Sequence, residues 1–279
     1  MAVCFFAAFV CSFAWQMLPV WKHEGSGYVT GGTWFYRTKQ FGCLPMIYGT
    51  MAVAGVALVL AAPLGLGAAL FTAEYLPRRT RVGVKVLIEI LAGIPSVIYG
   101  LLGVLLVREW VYRVFASLDI LSGDTLFTGG ILLAVMILPT IVTLGDDALR
   151  AVPGSQRRAA RALGLTKAET ILLISLPQSI RGLLSALLLA LGRAFGETIA
   201  TFLVVGRQDN HQPENWFSLR PLLEAGETLT TKLGGSETNI AYGGSQLHWA
   251  AIVGLGFVLL VMVGTITAIG IWQGKAQHA

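Results

Sequence analysis

The chain has 279 residues, of which 55% are hydrophobic and 13% charged, with a formal net charge of +5 and a mean hydropathy of +0.70. A soluble domain carries charge on about a quarter of its residues. This chain lacks the polar surface to cover such a fold, so a polytopic membrane protein is the direct reading. Its basic residues form no single tract, which argues against nucleic-acid binding as the source of the charge.

Six segments are apolar over the roughly 20 residues that a helix needs to cross hydrocarbon. They are residues 2–20, 46–73, 84–107, 127–145, 178–206 and 248–272. None alternates with period two, so helices are expected and not barrel strands. Residues 2–20 have no basic leader and no small-x-small cleavage pattern, so they read as a first span with a very short leader and not as a signal peptide. Cys4, Cys11 and Cys43, with His23, His211, His248 and His278, form no metal-ligand spacing. Pro63, Pro95, Pro139 and Pro177 mark spans two to five, and glycines accompany them, as in Gly65-x-Gly67 and Gly100-x-x-Gly103. Membrane helices tolerate both residue types because neighbours satisfy the freed backbone groups.

The loops set the orientation. The 74–89 and 146–177 segments and the C-terminal tail carry Arg78, Arg79, Arg81, Lys85, Arg150, Arg157, Arg158, Arg161, Lys167 and Lys275. Against these stand only Glu74, Glu89, Asp146, Asp147 and Glu169. Basic density in short loops predicts that this side, with both termini, is cytoplasmic. The long outer segment, 207–247, is polar, with a short helix expected near Pro221 to Leu233. It reads either as a docking surface or as a solvated connection.

The 146–177 segment has its own local signals. Pro153 ends the helix leaving span four, and Ser155 is placed to cap a short helix from Gln156 to Leu163. Ala159, Ala160 and Leu163 are expected to share one face, with Arg157, Arg158 and Arg161 over the rest. Gly164 suits a left-handed C-terminal cap. Thr166-x-x-Glu169 reads as a capping box opening the next helix. From chemistry alone, the short helix is either a seat for another protein, since small side chains permit close approach, or an interfacial helix held to headgroups by its arginines.

Inside span five, Arg193 and Glu197 are four residues apart and are expected on one helix face, next to Gly192-x-x-x-Gly196. Ionisable groups at membrane depth are costly and face a partner or a polar path. Arg before Glu is the less favourable order for the helix dipole, so helix stability is a poor reason for the pair. A substrate path and a buried structural pair both remain open. The chain has no phosphate-cradling G-x-x-x-x-G-K-[ST] and no nucleophile, base and acid set, so it is expected not to be an enzyme.

The run R-A-A-x3-G-x9-I-x-L-P, from Arg158, Ala159, Ala160 and Gly164 to Ile174, Leu176 and Pro177, resembles the EAA loop of ABC importer permeases, with Arg158 where that pattern has Glu. A narrower resemblance runs from Phe41 to Trp272. It rests on F-G-x-L-P-M-I-Y-G-T from Phe41, P-L-G-L-G-A-A from Pro63, E-Y-x-P from Glu74, E-x-L-A-G-I-P-S-V-I-Y-G from Glu89, M-I-L-P from Met136 and D-A-L-R-A-V-P from Asp147. These are similar to phosphate-specific permeases of the Pst type. D-D-A-L from Asp146 and L-G-R-A-x-G-E-T-I-A from Leu191 point to the PstC-like subunit over its PstA-like paralogue. The resemblance implies an all-α membrane protein of the ABC type I importer permease fold. That fold would have six transmembrane helices, residues 1–40 forming the first helix and outer loop and 41–279 the core. It implies a cytoplasmic coupling helix at about 155–164, with Arg158, Ala159, Ala160, Arg161, Leu163 and Gly164 facing an ATPase subunit. It further implies two ATPase subunits, a paralogous permease subunit and an extracytoplasmic phosphate-binding protein as partners, with no cofactor and no nucleic acid, in the bacterial inner membrane. Arg193, Glu197 and Thr198 are the expected path residues, with guanidinium suited to an oxyanion. Two alternatives remain: a permease for molybdate or tungstate, and a non-conducting signalling or scaffold subunit.

Overall fold

The computed structural model describes residues 2–118, 120–213 and 219–275. His278, and the side chains of Arg78 and Lys275, lie outside the described residues. In chain order, α1 (Ala2–Glu24) and α2 (Gly27–Thr30) precede a hairpin of β1 (Trp34–Phe35) and β2 (Gln40–Phe41), in which Trp34 pairs with Phe41. Then come α3 (Leu44–Glu74), α4 (Arg78–Ala92), α5 (Ser96–Leu102), α6 (Arg108–Phe115), α7 (Leu126–Arg150), α8 (Gly154–Ala162), α9 (Lys167–Thr170) and α10 (Leu176–Phe195). The last four are α11 (Ile199–Val204), α12 (Leu229–Leu233), α13 (Ser236–Tyr242) and α14 (Gln246–Lys275).

Among the described residues, four helical stretches are long and apolar enough to cross a membrane: Leu44–Glu74, Leu126–Arg150, Lys167–Phe195 and Gln246–Gly274. The count is five if α4 and the helices after it are taken as one broken span. Pro63 and Pro139 sit inside continuous helices. Pro95 does not. Gly93 closes α4 by donating to the carbonyls of Glu89 and Ile90, and a proline one residue later than Ile94 disfavours the helical conformation there. The span expected at 84–107 is therefore two helices. A wide π turn, Gly103–Val107, joins α5 to α6. A second π turn, Ile171–Ser175, leads from α9 into α10 just ahead of Pro177, where a proline cannot fit the regular ladder. The fifth span starts earlier than expected, at Lys167, and ends earlier, at Phe195.

The chain forms two compact units, each assembled from three separated segments. One comprises Met1–Val56, Ser96–Leu133 and Phe195–Val263. Its core gathers Tyr28, Trp34, Phe41, Met46, Leu229 and Leu255, all essentially buried. The Tyr28 hydroxyl donates to the Ala251 carbonyl at 2.8 Å, and the Trp34 indole N–H donates to Glu237 Oε1 at 2.7 Å. Both donors of these large rings are thus satisfied inside the apolar cluster, as burial requires.

The other unit comprises Ala57–Pro95, Ala134–Ala194 and Gly264–Ala279. Ala69, Leu149 and Leu183 form its buried nucleus, with Leu66, Leu70 and Leu176 against them. Helices α3 and α7 approach closely at Gly65, where an added Cβ would lie 2.7 Å from Ile141 Cγ2. Small residues let membrane helices gain dispersion contacts that a larger side chain would block.

Candidate functional site

The 146–177 segment lies in the second unit. Pro153, with φ −58°, leads directly into α8 at Gly154, and Ser155 makes no capping bond. The expected Ser155 cap is therefore wrong. Proline already holds the entry dihedral, and the helix starts before Ser155 can stand outside it. The C-terminal end is as expected. Gly164 has φ +90°, its N–H reaches the Arg161 carbonyl at 3.0 Å, and the Leu165 N–H reaches that of Ala160 at 3.2 Å. This is a Schellman turn, which a residue with a Cβ enters only at a cost. The Thr166 box also forms: Glu169 Oε2 accepts the Thr166 N–H at 2.8 Å, and Thr166 Oγ1 accepts the Glu169 N–H at 3.3 Å.

The face of α8 differs from the expected stripe. Ala160 is buried within its own unit, whereas Ala159 and Leu163 are exposed, Leu163 at 81%. Arg158 and Arg161 are exposed with them. Arg157 turns inward, not outward: it lies 3.1 Å from Glu74 Oε1 at the end of α3 and donates to the Leu149 carbonyl near the end of α7. In the same unit, Lys85 of α4 reaches both Asp146 and Asp147 of α7 at 2.7 Å, and Asp146 is fully buried.

The expected pair in span five is not one helical pair. Helix α10 stops at Phe195 and α11 begins at Ile199, so Arg193 and Glu197 do not share a helix face. Arg193, in the second unit, donates from Nη1 to Thr140 Oγ1 of α7 at 3.1 Å, and is exposed. In that unit Gly192 faces α14, where an added Cβ would meet Thr267 Oγ1 at 2.9 Å. Glu197 belongs to the first unit. Its carboxylate accepts the Ala200 N–H at 3.1 Å, and its carbonyl accepts the hydroxyls of Thr201 at 2.9 Å and Thr230 at 2.8 Å. Side chains thus satisfy the Ala200 N–H at the start of α11 and the Glu197 carbonyl within the break. The Thr198 hydroxyl makes a long 3.4 Å bond to the Gly196 carbonyl, while the Thr198 carbonyl accepts the Phe202 N–H at 2.9 Å and the Thr201 hydroxyl at 3.0 Å.

Sequence reasoning missed a buried charge cluster in the 207–247 segment. Lys232, 4% exposed, lies 2.6 Å from Asp209, 2.7 Å from Glu237 and 3.4 Å from Glu227. Glu237 also takes His248 Nε2 at 2.9 Å, and the His248 ring stacks on Tyr36. Burial, together with the neighbouring Asp209, pushes the Glu227 carboxyl up to about 9. Burial alone would lower the Lys232 pKa, yet Glu227, Asp209 and Glu237 hold it raised. The segment from Thr228 to Lys232 is buried, with Leu229 N–H donating to Thr50 Oγ1 at 3.0 Å. This part of the 207–247 segment is therefore not a solvated connection. The one available signal was the Thr-Leu-Thr-Thr run followed by a lone Lys, which reads as polar until its partners are known.

A family model described as "Binding-protein-dependent transport system inner membrane component" matches residues 61–276. The phosphate transport system permease protein PstC of Mesorhizobium japonicum is 32% identical over 92% of this chain and 79% of its own length. A PstC protein of Mycobacterium tuberculosis is 32% identical over 91% of this chain and 79% of its own. YqgH of Bacillus subtilis, a probable ABC transporter permease, is 35% identical over 80% and 68% respectively. Among solved structures, an inward-facing form of the methionine ABC transporter MetNI aligns with TM-score 0.59 at 18% identity, covering 83% of this chain and 94% of that one. An amino acid ABC transporter crystallised with histidines gives 0.56 at 17%, covering 86% and 95%. At these identities the structures speak for the fold alone. The chain belongs to the binding-protein-dependent transport inner-membrane components, and among them to the PstC-type permeases.

Proposed function

We propose that this chain is a transmembrane permease subunit of an ATP-driven phosphate importer, forming half of the translocation path and coupling it to a separate ATPase. The carrying observation is the extended likeness to PstC proteins over 92% of the chain. The exposed Ala159 on α8 and Leu163 just after it, together with Arg158 and Arg161, support it locally. In this reading α1 and the span broken after Ala92 complete six transmembrane helices, with residues 1–40 preceding a permease core at 41–279. Both termini lie in the cytoplasm. Helix α8 is the coupling helix, and Arg158, Ala159, Arg161, Leu163 and the turn at Gly164 meet the ATPase, while Ala160 sets the helix on its own unit. Two ATPase subunits, a paralogous permease subunit and an extracytoplasmic phosphate-binding protein complete the machine. Alternating access follows from ATP-driven movement of the coupling helices.

Arg193 is the residue we assign to the oxyanion path. It is exposed and, among the described residues, tied by one hydrogen bond, to the neutral Thr140 hydroxyl, which leaves donors for planar, bidentate contact with phosphate. Glu197 and Thr198 shape the break in the same span. In reconstituted vesicles, loaded binding protein should stimulate ATP hydrolysis and drive phosphate uptake that arsenate competes with and molybdate does not. Molybdate competition would reassign the oxyanion. Hydrolysis without uptake would favour a non-conducting subunit. Arg193→Gln should lower uptake at least tenfold in an intact complex, and normal uptake would remove Arg193 from the path.

A further inference from the structure

We propose that Arg157 and Glu74 form a strut through which displacement of α8 is passed to α3 and α7. This rests on α8 being the coupling helix. The attachment of α8 to its unit is sparse. Its one fully buried residue is Ala160, a methyl group that grips little. Arg157 supplies the firmer hold. Its guanidinium is a planar fork, so two nitrogens can reach in two directions at once. Nη1 lies 3.1 Å from Glu74 Oε1, and Nη2 donates to the Leu149 carbonyl. Glu74 is the last residue of the 31-residue α3 and is 4% exposed. Leu149 stands in the last turn of α7 and is buried against Ala69 and Leu183. One side chain thus joins α8 to the ends of two long apolar helices.

The pair is suited to transmit movement and not merely to decorate the surface. Both side chains are withdrawn from water, Arg157 being 17% exposed. Separating them would strand a buried charge, which is strongly unfavourable. An exposed pair would instead exchange with water at little cost. A second tie acts in parallel: Lys167 Nζ of α9 sits 4.2 Å from the centre of the Tyr75 ring, directly after Glu74. Push and pull on the exposed side of α8, at Arg158, Ala159, Arg161 and Leu163, therefore reach α3 through Arg157 and Glu74. They are positioning residues, since neither is assigned to substrate or nucleotide.

The test uses the whole complex in vesicles, measuring phosphate taken up per ATP hydrolysed for wild type, Glu74→Gln, Arg157→Gln and the exchanged pair Glu74→Arg with Arg157→Glu. Each single variant should co-purify with the ATPase and hydrolyse ATP within twofold of wild type, while uptake per ATP falls at least fivefold. The exchange should recover at least half of the lost coupling. Unchanged uptake per ATP in the single variants overturns the strut, as does an exchange no better than either single variant. Loss of the ATPase from the single variants would assign the pair to docking and also overturn it. If the single variants fail to accumulate in the membrane, the exchange must restore both accumulation and coupled uptake, or the strut fails. A wild-type complex with no ATP-driven uptake would overturn the importer reading and the strut together. Normal wild-type uptake with indifferent variants overturns the strut alone.

Discussion

The 207–247 segment and the 146–177 segment both bury ionic groups, but in opposite arrangements. In the 207–247 segment one lysine, Lys232, is enclosed by three carboxyl groups and further held through Trp34 and His248 by way of Glu237. Around α8, single basic residues meet acids on neighbouring helix ends, Arg157 with Glu74 and Lys85 with Asp146 and Asp147. The first arrangement is many-to-one and deeply enclosed. A displacement there breaks several charge-assisted contacts together, so the segment behaves as one piece. In the second arrangement each cation meets one or two acids, and α8 keeps its remaining face exposed. It can move as a unit and carry its neighbours. The difference teaches that charge burial serves fixation in one place and connection in the other.

The comparison breaks most visibly at Lys232. Lys232→Met leaves Asp209, Glu227 and Glu237 without their cation, which should cost about 3–5 kcal/mol. Thermal melting of the purified protein should fall sharply, and Arg157→Gln, which strands the single carboxylate of Glu74, should lower it less. Equal losses would erase the distinction.

Proton linkage sharpens it next. The Glu227 carboxyl is raised from 4.5 to about 9. The folded state therefore holds a proton that the unfolded chain releases, so this contribution is complete below pH 4.5 and is lost as pH rises towards 9. Asp209 and Glu237 are lowered despite burial, by Glu227 and Lys232 for the first and by Lys232, Trp34 and His248 for the second. Their contributions are present above their ordinary values and are lost only in acid. Between pH 5 and 9 Glu227 thus supplies a limiting slope of ~1.4 kcal/mol per pH unit, for one proton. Melting curves of Glu227→Gln across that range should be flatter than those of wild type. Parallel slopes would count against the enclosed cluster.

Two smaller effects probe the α8 side. Gly164→Ala forces an L residue to φ +90°, at a cost of about 1–2 kcal/mol. Amide exchange should quicken in α8 and α9 while the 207–247 segment stays protected. Thr166→Ala removes the capping box, worth about 1 kcal/mol. Its exchange signature should be confined to the first turn of α9. Spread of either effect into the 207–247 segment would count against the local character of the turn and the cap.

Much of the 146–177 segment could be read locally. The Gly164 turn, the Thr166 and Glu169 box and the short helix between Pro153 and Gly164 each depend on residues within a few positions of one another, and all three form. Ser155 failed as a cap because Pro153, two residues earlier, had already started the helix. Arg157 and Arg158 were indistinguishable as letters, yet one is drawn inward by Glu74, more than eighty positions away, and the other is exposed. Arg193 and Glu197 looked like a helical pair because four-residue spacing presumes a continuous helix. Glu197 instead serves the start of α11 and a threonine from the 207–247 segment. The departure of Arg158 from the family pattern has no counterpart in the structure that explains it.

By itself, the sequence determined that long apolar helices dominate this protein, and where a short capped helix interrupts them. Apolar length, turn residues and capping act over a few residues, so their outcome is written locally. The tertiary structure decided which charges are buried and with whom, and that span five stops at residues 196–198. Those outcomes turn on desolvation and on partners brought from far along the chain, such as Asp209, Glu227 and Glu237 around Lys232. A charge becomes tolerable in the interior only after folding has supplied its counter-charge.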